Sequence, residues 1–347
     1  MEKQTLARHR QNKAIFCHLN SISALCRVLK TDKRKLTLMA QQPKYKTFSI
    51  AKKDGGERLI ETPDDSVKKI LGILNRYLQS VYLLEKTNAA YGFITGVKND
   101  DDRRNVLTNA KKHLGKAYLL NIDLKDFFHS ISKEQVITIF KEKPFRFKGE
   151  VLEILASICT YQGRLPMGTP TSPVLSNFAC RLLDESLSAF SADMLWTYTR
   201  YADDMSFSSN QIIAAEKIHS VRQLIEKMGF KVNEKKVVVF GPDDNKVVTG
   251  LLVNEKIELA PGYLDELEEE IIRLGDVLRT QNEQGQISTH WIEKYKQQVR
   301  GRISFAGFVL QRRDERYMAL RDAYYVAINP PEEEFGAINW RGFPYNM

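Results

Sequence analysis

The sequence predicts an α+β protein with a helical C-terminal lobe. Apolar residues spaced three and four apart indicate helices, most clearly over 11–40 and from 262 to about 325. Short apolar or alternating runs bounded by turn residues indicate strands at 47–61, 117–124, 197–208 and 230–253. The length of 347 residues favours two or three domains.

The N-terminal elements are predicted as a helix, a hairpin and a second helix. Residues 11–40 carry one apolar helical stripe, made of Ile15, Leu19, Ile22, Leu25 and Val28. The turn sequence Asp54-Gly55-Gly56 joins two short strands into a predicted β-hairpin. Ser66 is predicted to cap the next helix, whose apolar stripe runs from Val67 to Val81.

Strands and helices then alternate. The run at 117–124 predicts a buried strand, and Ser132 with Gln135 predicts a capping box for a helix that Pro144 ends. Pro173 is predicted to open a helix with Leu182 and Leu183 on its apolar side. Two strands with a tight turn are expected within 197–208, a helix at about 211–228, and strands at about 230–240 and 246–253.

Composition excludes several classes of protein. A hydrophobic fraction of 43% is sufficient for packed cores and argues against disorder. No apolar run approaches the ~18 residues of a membrane span, and the charged N-terminus does not resemble a secretory signal. The four cysteines form no metal-ligand spacing, so free thiols and a cytoplasmic location are expected.

The positive charge is concentrated near the N-terminus. The chain carries 52 Lys and Arg against 43 Asp and Glu, a net charge of +9. Residues 1–60 hold 14 of those basic residues and 4 of the acidic ones, so the rest of the chain is close to neutral. Either a solvated basic arm or a phosphate-binding face explains this distribution.

Three carboxylates stand out as candidates for chemistry. Asp203 and Asp204 sit at the turn of the predicted hairpin, and Asp123 ends the buried strand, with Asp126 three residues later. Carboxylates gathered in this way repel one another unless a cation lies among them. Hard oxygen ligands suit Mg²⁺, and two such ions can serve phosphoryl transfer. Ordinary turn chemistry is the alternative explanation for an Asp-Asp pair.

These segments resemble reverse transcriptases in the order of their motifs. Tyr201-Ala202-Asp203-Asp204 resembles the catalytic signature, and Asn121 to Phe128 resembles the motif of the first catalytic Asp. The other matching segments are the fingers hairpin at 52–58, the loop and helix start at 165–173, and the motif at 229–236. The resemblance implies a right-hand polymerase fold, with fingers, a palm of antiparallel sheet backed by helices, and a helical thumb.

The resemblance also implies roles for individual residues. Asp123, Asp203 and Asp204 would be catalytic and would hold two Mg²⁺ ions, for which Mn²⁺ can substitute, with the Leu124 carbonyl as a further ligand. Residues expected to contact the incoming deoxynucleotide are Lys52, Lys53, Arg58, Phe128, Met167, Gly168 and Lys236.

Phe128 and Met167 bear on how the nucleotide is selected. Phe128 lies five residues after Asp123, where the family places a bulky ring under the sugar. Such a ring clashes with a 2′-hydroxyl and favours deoxynucleotides, whereas the neighbouring Phe127 is predicted to pack in the core. Met167 departs from the family, which usually has Gln there, so a polar contact near the nucleotide is lost.

Two short segments narrow the resemblance to bacterial retron reverse transcriptases. Asn109-Ala110-Lys111-Lys112-His113 resembles their NAxxH motif, and Val248-Thr249-Gly250 resembles their VTG motif. Asn109, His113 and Thr249 are therefore expected to contact RNA. A core histidine and a strand bulge at Gly250 are the alternatives. The resemblance implies that DNA synthesis starts from a guanosine 2′-hydroxyl of a cognate noncoding RNA. The product would be a small single-stranded DNA attached to that RNA. The resemblance also implies a role in anti-phage defence together with an effector protein.

The C-terminal lobe carries a basic stretch that fits RNA. Basic side chains can follow a nucleic-acid backbone, while interleaved aromatics can stack on bases or simply form the core. The basic residues expected to contact RNA are Lys294, Lys296, Arg300, Arg302, Arg312 and Arg313. The predicted layout is an N-terminal helical region and fingers (1–116), a palm (117–255) with a fingers insertion at about 133–172, a thumb (256–325) and a tail (326–347).

Other functions remain open at this point. A reverse transcriptase of another bacterial defence system, or one similar to group II intron proteins, would share the catalytic motifs. An RNA-binding scaffold with an inactive polymerase fold is the alternative from a different class, and the intact set of three carboxylates argues against it.

Overall fold

A computed structural model of the chain describes residues 5–51, 55–97, 100–283 and 289–329. The chain divides into two compact units, residues 1–256 and 257–347, which are described separately. Lys52 and Lys53, and most of the tail from residue 330 onward, lie outside the described residues. No helix of the described residues is long and apolar enough to cross a membrane.

The N-terminal region contains three helices where the sequence predicted one. They are α1 (Leu6–Cys17), α2 (Ile22–Leu29) and α3 (Lys33–Gln41). The prediction was wrong because local caps interrupt the helix: Ser21 accepts a hydrogen bond from the Ala24 amide, and Lys30 adopts a left-handed conformation (φ 53°) that ends α2. Leu25 is buried as predicted, but Ile15 is 43% exposed.

The predicted hairpin is present and leads into a long helix. Strands β1 (Tyr45–Ala51) and β2 (Glu57–Pro63) pair antiparallel. Helix α4 (Asp65–Glu85) buries the predicted apolar stripe. Its cap is Asp64, which accepts a hydrogen bond from the Val67 amide at 2.8 Å, and not Ser66. The correction has a simple cause, since Ser66 lies inside the first turn and donates its hydroxyl to Asp64.

A four-stranded antiparallel sheet forms the centre of the first unit. Its strand order is β4-β5-β3-β6, in which β3 is Tyr118–Asp123, β4 is Thr197–Tyr201, β5 is Asp204–Ser209 and β6 is Val238–Phe240. Alternate side chains of β3 and β5 pack on one apolar core, in which Leu120, Ile122 and Phe207 are almost fully buried. The predicted strands at 117–124 and 197–208 are therefore confirmed in position.

Six further helices of the first unit surround this sheet. They are α5 (Val106–Lys111), α6 (Lys133–Lys141), α7 (Gly149–Cys159), α8 (Ser172–Ala179), α9 (Arg181–Asp193) and α10 (Ala215–Lys227). The capping box of α6 is confirmed, with both hydrogen bonds between Ser132 and Gln135 formed. The helix predicted from Pro173 breaks at Cys180 into α8 and α9, which turns Leu182 outward to 64% exposure, whereas Leu183 is buried.

The segment after α10 is less regular than predicted. A 3₁₀ turn at Glu234–Lys236 replaces most of the expected strand at 230–240. The expected strand at 246–253 is a tight hairpin of β7 (Val247–Val248) and β8 (Leu251–Leu252). Thr249 (φ 49°) and Gly250 (φ 81°) form its two-residue turn, and such turns need left-handed conformations.

The second unit is helical, as predicted. A short strand β9 (Glu258–Leu259) precedes α11 (Tyr263–Glu283), α12 (His290–Leu310) and α13 (Glu315–Ile328). Leu267, Leu274 and Val299 are fully buried among these helices. Phe305 packs against Tyr263 with ring centroids 5.8 Å apart, whereas Phe308 is 46% exposed and is not a core residue.

Candidate active site

The sheet register brings the three candidate carboxylates together. Asp123 ends β3 and lies directly opposite Asp204, the first residue of β5. Asp203 lies in the turn between β4 and β5, and its carbonyl accepts a hydrogen bond from the Leu124 amide at 3.1 Å. Antiparallel pairing therefore places all three acidic residues at one end of the sheet, as the sequence predicted.

The carboxylates perturb one another electrostatically. The pKa of Asp204 is raised to about 7 by desolvation and by the charges of Asp203 and Asp123. Asp204 is solvent-exposed as a whole residue, and the carboxylates of Asp203 and Asp123 lie close to its own. Desolvation and the Asp123 charge also raise the pKa of Asp203. A cation among these groups would relieve the repulsion.

Asp123 is held by two residues from the segment after α10. The Asn233 side-chain amide donates to Asp123 Oδ1 at 2.8 Å, and the Lys236 ammonium lies 3.3 Å from Asp123 Oδ2. Sequence reasoning quoted Asn233 only as part of a motif and assigned it no role. Within the described residues, no three acidic, His or Cys side chains converge as ligands of one ion.

Two cavities flank Asp123. The larger cavity, of about 590 Å³, is lined by several residues expected to contact the nucleotide: Arg58, Phe128, Met167 and Lys236. Asp203 and Leu124, the residue after β3, also line it. The structure thus brings together residues from the β1–β2 hairpin, the turn after β3, the loop before α8 and the 3₁₀ turn.

Phe127 and Phe128 differ in burial, and the prediction that Phe127 packs in the core is confirmed. Phe127 is buried in the core and packs on Phe128 with ring centroids 5.3 Å apart. Phe128 is half-buried and lines the larger cavity. The ring of Phe93 packs against the ring of Phe128 at a centroid distance of 5.9 Å.

Gly168 acts through its backbone. A side chain on Gly168 would place Cβ 2.9 Å from the Glu61 carbonyl oxygen, and its φ of 127° is unfavourable for other residues. The Glu61 amide donates to the Met167 carbonyl, so β2 and the loop before α8 are in direct backbone contact. Gly168 does not line either cavity around Asp123.

A polar cluster around the buried Glu61, beside the larger cavity, was not anticipated from the sequence. Glu61 is 1% exposed and accepts two hydrogen bonds from the Arg164 guanidinium, at 2.7 and 3.0 Å. His129 Nε2 donates to the same carboxylate at 3.0 Å. The cluster ties the β1–β2 hairpin to the two segments that carry Met167 and Phe128. The burial of Glu61 identifies this cluster, and no pattern in the neighbouring sequence indicates that Glu61 is buried.

The smaller cavity, of about 430 Å³, also borders Asp123. Asp204, Tyr201 and the turn residues Thr249 and Gly250 line it. The Thr249 hydroxyl is buried and has no hydrogen-bond partner among the described residues. Asn109, His113 and Thr249 were expected to contact RNA. Among them, Thr249 lines one of the two cavities beside Asp123.

The structure corrects the expectation for Asn109 and His113. Each is only 1% exposed, so neither side chain can contact RNA directly. His113 is hydrogen-bonded to Ser208 Oγ and Thr199 Oγ1, both at 2.7 Å, and so joins β4 to β5. Burial lowers the pKa of His113 to about 3, which keeps the imidazole neutral. The alternative reading of a core histidine is therefore the right one.

The basic residues of the second unit differ in accessibility. Lys294, Arg300, Arg312 and Arg313 are exposed. Lys296 is half-buried and pairs with Glu293 at 3.0 Å. Arg302 departs from the expectation, because its guanidinium pairs with Glu270 at 2.6 Å and Glu266 at 3.3 Å and covers the Tyr263 ring at 4.8 Å. Its charge is already neutralised within the unit.

Comparisons with known proteins identify relatives of this chain. A sequence model of the family described as reverse transcriptase (RNA-dependent DNA polymerase) matches residues 50–259. The chain is 28% identical over 246 residues to the retron Ec86 reverse transcriptase of Escherichia coli, covering 70% of this chain and 73% of that protein. It is 37% identical over 223 residues to the retron Ec73 reverse transcriptase of the same species, covering 60% and 68%.

One solved structure is also similar in backbone. Telomerase from Candida albicans, in complex with a fragment of telomeric RNA, aligns with a TM-score of 0.46 and 12% identity, over 84% of this chain and 64% of that one.

Proposed function

The chain belongs to the reverse transcriptase family, and from that premise we propose how its active site works and which nucleic acids it uses. It is an RNA-directed DNA polymerase of retron type, with the α+β right-hand fold of such polymerases. The observation that supports the mechanistic proposal best is the register of Asp123 against Asp204, with Asp203 in the adjoining turn, between two cavities.

We propose that Asp123, Asp203 and Asp204 hold two Mg²⁺ ions, which Mn²⁺ can replace, with the Leu124 carbonyl as a further ligand. Their donor chemistry fits such ions, because carboxylate and carbonyl oxygens are the ligands that Mg²⁺ prefers and because crowding raises the pKa of Asp204, although the three side chains do not converge on one point in the described residues. When bound, the ions would activate the attacking hydroxyl and offset charge on the leaving group. Asp123 must first release Lys236, whose ammonium can then turn to the phosphates of the nucleotide.

The larger cavity is the proposed site of the incoming deoxynucleotide. Arg58 and Lys236 bring positive charge to its rim, where a triphosphate would lie. Phe128, supported by Phe127 and Phe93, presents a ring that would clash with a 2′-hydroxyl. Met167 offers an apolar contact in the same cavity. The smaller cavity, beside Thr249, is the proposed entry for the hydroxyl that attacks the nucleotide.

The nucleic-acid substrate follows from the retron relationship. We propose that the enzyme binds a cognate structured noncoding RNA, begins synthesis from a guanosine 2′-hydroxyl, and makes a small single-stranded DNA that stays attached to the RNA. The exposed Lys294, Arg300, Arg312 and Arg313 are the proposed RNA contacts of the second unit. A role in anti-phage defence with an effector protein, and a cytoplasmic location that suits four free cysteines, complete the proposal.

The test combines nucleic-acid analysis with inactivation of the metal site. The purified protein should carry an RNA joined to a short DNA of one sequence, which a debranching enzyme releases after ribonuclease treatment. Asp203→Asn with Asp204→Asn should abolish DNA synthesis and leave RNA co-purification largely intact, since no RNA contact is removed.

The control is Asp193→Asn, at an exposed position of α9, which should retain full synthesis. DNA synthesis by the double variant would show that the metal assignment is wrong. A linear DNA product from the wild type would leave the polymerase activity in place and exclude priming from a 2′-hydroxyl.

A further inference from the structure

A fully buried arginine lies directly behind the catalytic turn. Arg200, on β4, has 0% exposure. Its Nε and Nη2 donate to the two carboxylate oxygens of Asp184, each at 2.7 Å. Its remaining nitrogen, Nη1, donates to Asn177 Oδ1 at 3.1 Å and to the carbonyl oxygen of Ala202 at 3.0 Å. The guanidinium therefore joins two helices of the palm to the backbone that carries Asp203.

The turn that Arg200 contacts is in an unfavourable conformation. Ala202 has a φ of 61°, in the left-handed region, which costs a residue with a Cβ about 1–2 kcal/mol. Something must hold this conformation, and both carbonyls of the turn are anchored. The Asp203 carbonyl accepts from the Leu124 amide at 3.1 Å, and the Ala202 carbonyl accepts from Arg200.

Asp184 holds Arg200 in place through further partners. The Tyr198 hydroxyl donates to Asp184 Oδ1 at 3.0 Å, and the Thr87 hydroxyl donates to Oδ2 at 2.8 Å. Each carboxylate oxygen thus accepts two hydrogen bonds, and Asp184 is itself 0% exposed. Hydrogen bonds from Tyr198 and Thr87 therefore hold the carboxylate that orients Arg200.

Stability alone is a weak reason for such a pair. A buried ion pair is often no more stabilising than apolar side chains of the same volume, because desolvation offsets the attraction. What an apolar pair could not supply is a donor for the Ala202 carbonyl. We propose that Arg200 is a positioning residue: through its hydrogen bond to Ala202 it fixes the turn so that Asp203 and Asp204 meet the metal ions in the correct geometry.

The test compares two variants that each disturb the same carboxylate. Arg200→Lys keeps a positive charge near Asp184 but cannot reach Asp184 and Ala202 together, because an ammonium lacks the planar fork. Tyr198→Phe is the matched control, since it removes one buried hydrogen bond to Asp184 and leaves the Ala202 contact intact. Each is assayed by DNA synthesis per folded molecule, and by Mn²⁺ binding followed by electron paramagnetic resonance without substrate.

Arg200→Lys should lower kcat about 100-fold, as expected for a displacement of about 1 Å at a reacting centre, and should weaken Mn²⁺ binding about tenfold. Tyr198→Phe should stay within about twofold of the wild type in both measurements, although it too removes a buried hydrogen bond to Asp184. Equal behaviour of the two variants in kcat and Mn²⁺ binding would overturn the proposal.

A second variant covers the case in which Arg200→Lys does not fold. Arg200→Met combined with Asp184→Asn leaves no buried charge and leaves no donor at position 200 for the Ala202 carbonyl, so the same losses are expected. Failure of both to fold would mark the pair as a requirement for folding and would overturn the positioning role. The proposal rests on the metal role of Asp203 and Asp204, which their double Asn variant tests separately.

Discussion

A single methyl group at Gly92 should disturb the catalytic turn. Gly92 lies in the loop after α4, and its backbone packs directly on β4 and the turn. A Cβ there would lie 2.6 Å from the Ala202 nitrogen and 3.2 Å from the Tyr201 carbonyl carbon, where ordinary contacts begin at 3.4 Å. The Asn177 amide donates to the Gly92 carbonyl at 3.0 Å, so the loop cannot retreat freely. Gly92→Ala must therefore push the turn outward.

The size of the effect follows from that distance. The two backbones must separate by roughly 0.8 Å, and overpacking of this kind costs about 1–3 kcal/mol. Asp203 follows Ala202 directly, so it moves with the turn. Because a misplacement of about 1 Å can lower a rate about 100-fold, we expect Gly92→Ala to lose 10- to 100-fold in kcat, on the order of 1.4–2.7 kcal/mol in activation free energy.

The assay is primer extension on an RNA template, with urea unfolding of the same preparations. Gly72→Ala is the matched control, because Gly72 lies within α4 and a Cβ there meets nothing within 4 Å. That variant should gain about 0.5–1 kcal/mol in unfolding free energy and retain its activity. Gly92→Ala with wild-type kcat and unchanged stability would refute the close contact between the loop and the catalytic turn.

Three further predictions concern charge and burial. The pKa of His113 is lowered to about 3, so its contribution to stability is complete above pH 6.5 and is lost as pH falls towards 3, by about 1.4 kcal/mol per pH unit. In His113→Gln, the unfolding free energy should fall less steeply with decreasing pH, by the equivalent of one bound proton. Urea unfolding at pH 5 and 7.5 measures this fall, and an equal fall in the wild type and the variant would contradict the prediction. The raised pKa of Asp204 means that ionisation destabilises the fold as pH rises from 3.8 through 7, so Asp204→Asn should stabilise the metal-free protein at pH 8. Since Asp204 is exposed and screened, the gain should be only about 1 kcal/mol, and thermal unfolding with and without Mg²⁺ should show it disappear when the ion binds. Glu61→Gln leaves the Arg164 charge unpaired and should cost about 3 kcal/mol in urea unfolding, whereas the exposed Glu153→Gln should change stability by less than about 0.5 kcal/mol.

Local signals explain which elements could be predicted from the sequence. The β1–β2 hairpin, the strand at 118–123 and the capping box at Ser132 all depend on residues within a few positions of one another. The predicted helix at 11–40 failed because its apolar stripe is compatible with both one helix and three, and the caps at Ser21 and Asp32 decide between them. The prediction that Leu182 lies on the apolar side of the helix was wrong for a similar reason. The break at Cys180 changes the direction in which the side chains of α9 point.

The site divides in the same way. The residue types and order around Asp123, Asp203 and Asp204 were enough to predict the family and the class of enzyme, because the three acidic residues lie in short motifs that can be read one at a time. Tertiary structure alone decided how they are held. Asn233 bonds Asp123 across 110 positions, and His113 bonds Ser208 across 95. Which polar side chains are buried depends on how distant segments pack, because a hydrogen bond to a buried group is favourable only where water has been excluded. No local pattern carries that information, so Arg200 resembled an ordinary strand residue until its surroundings were known.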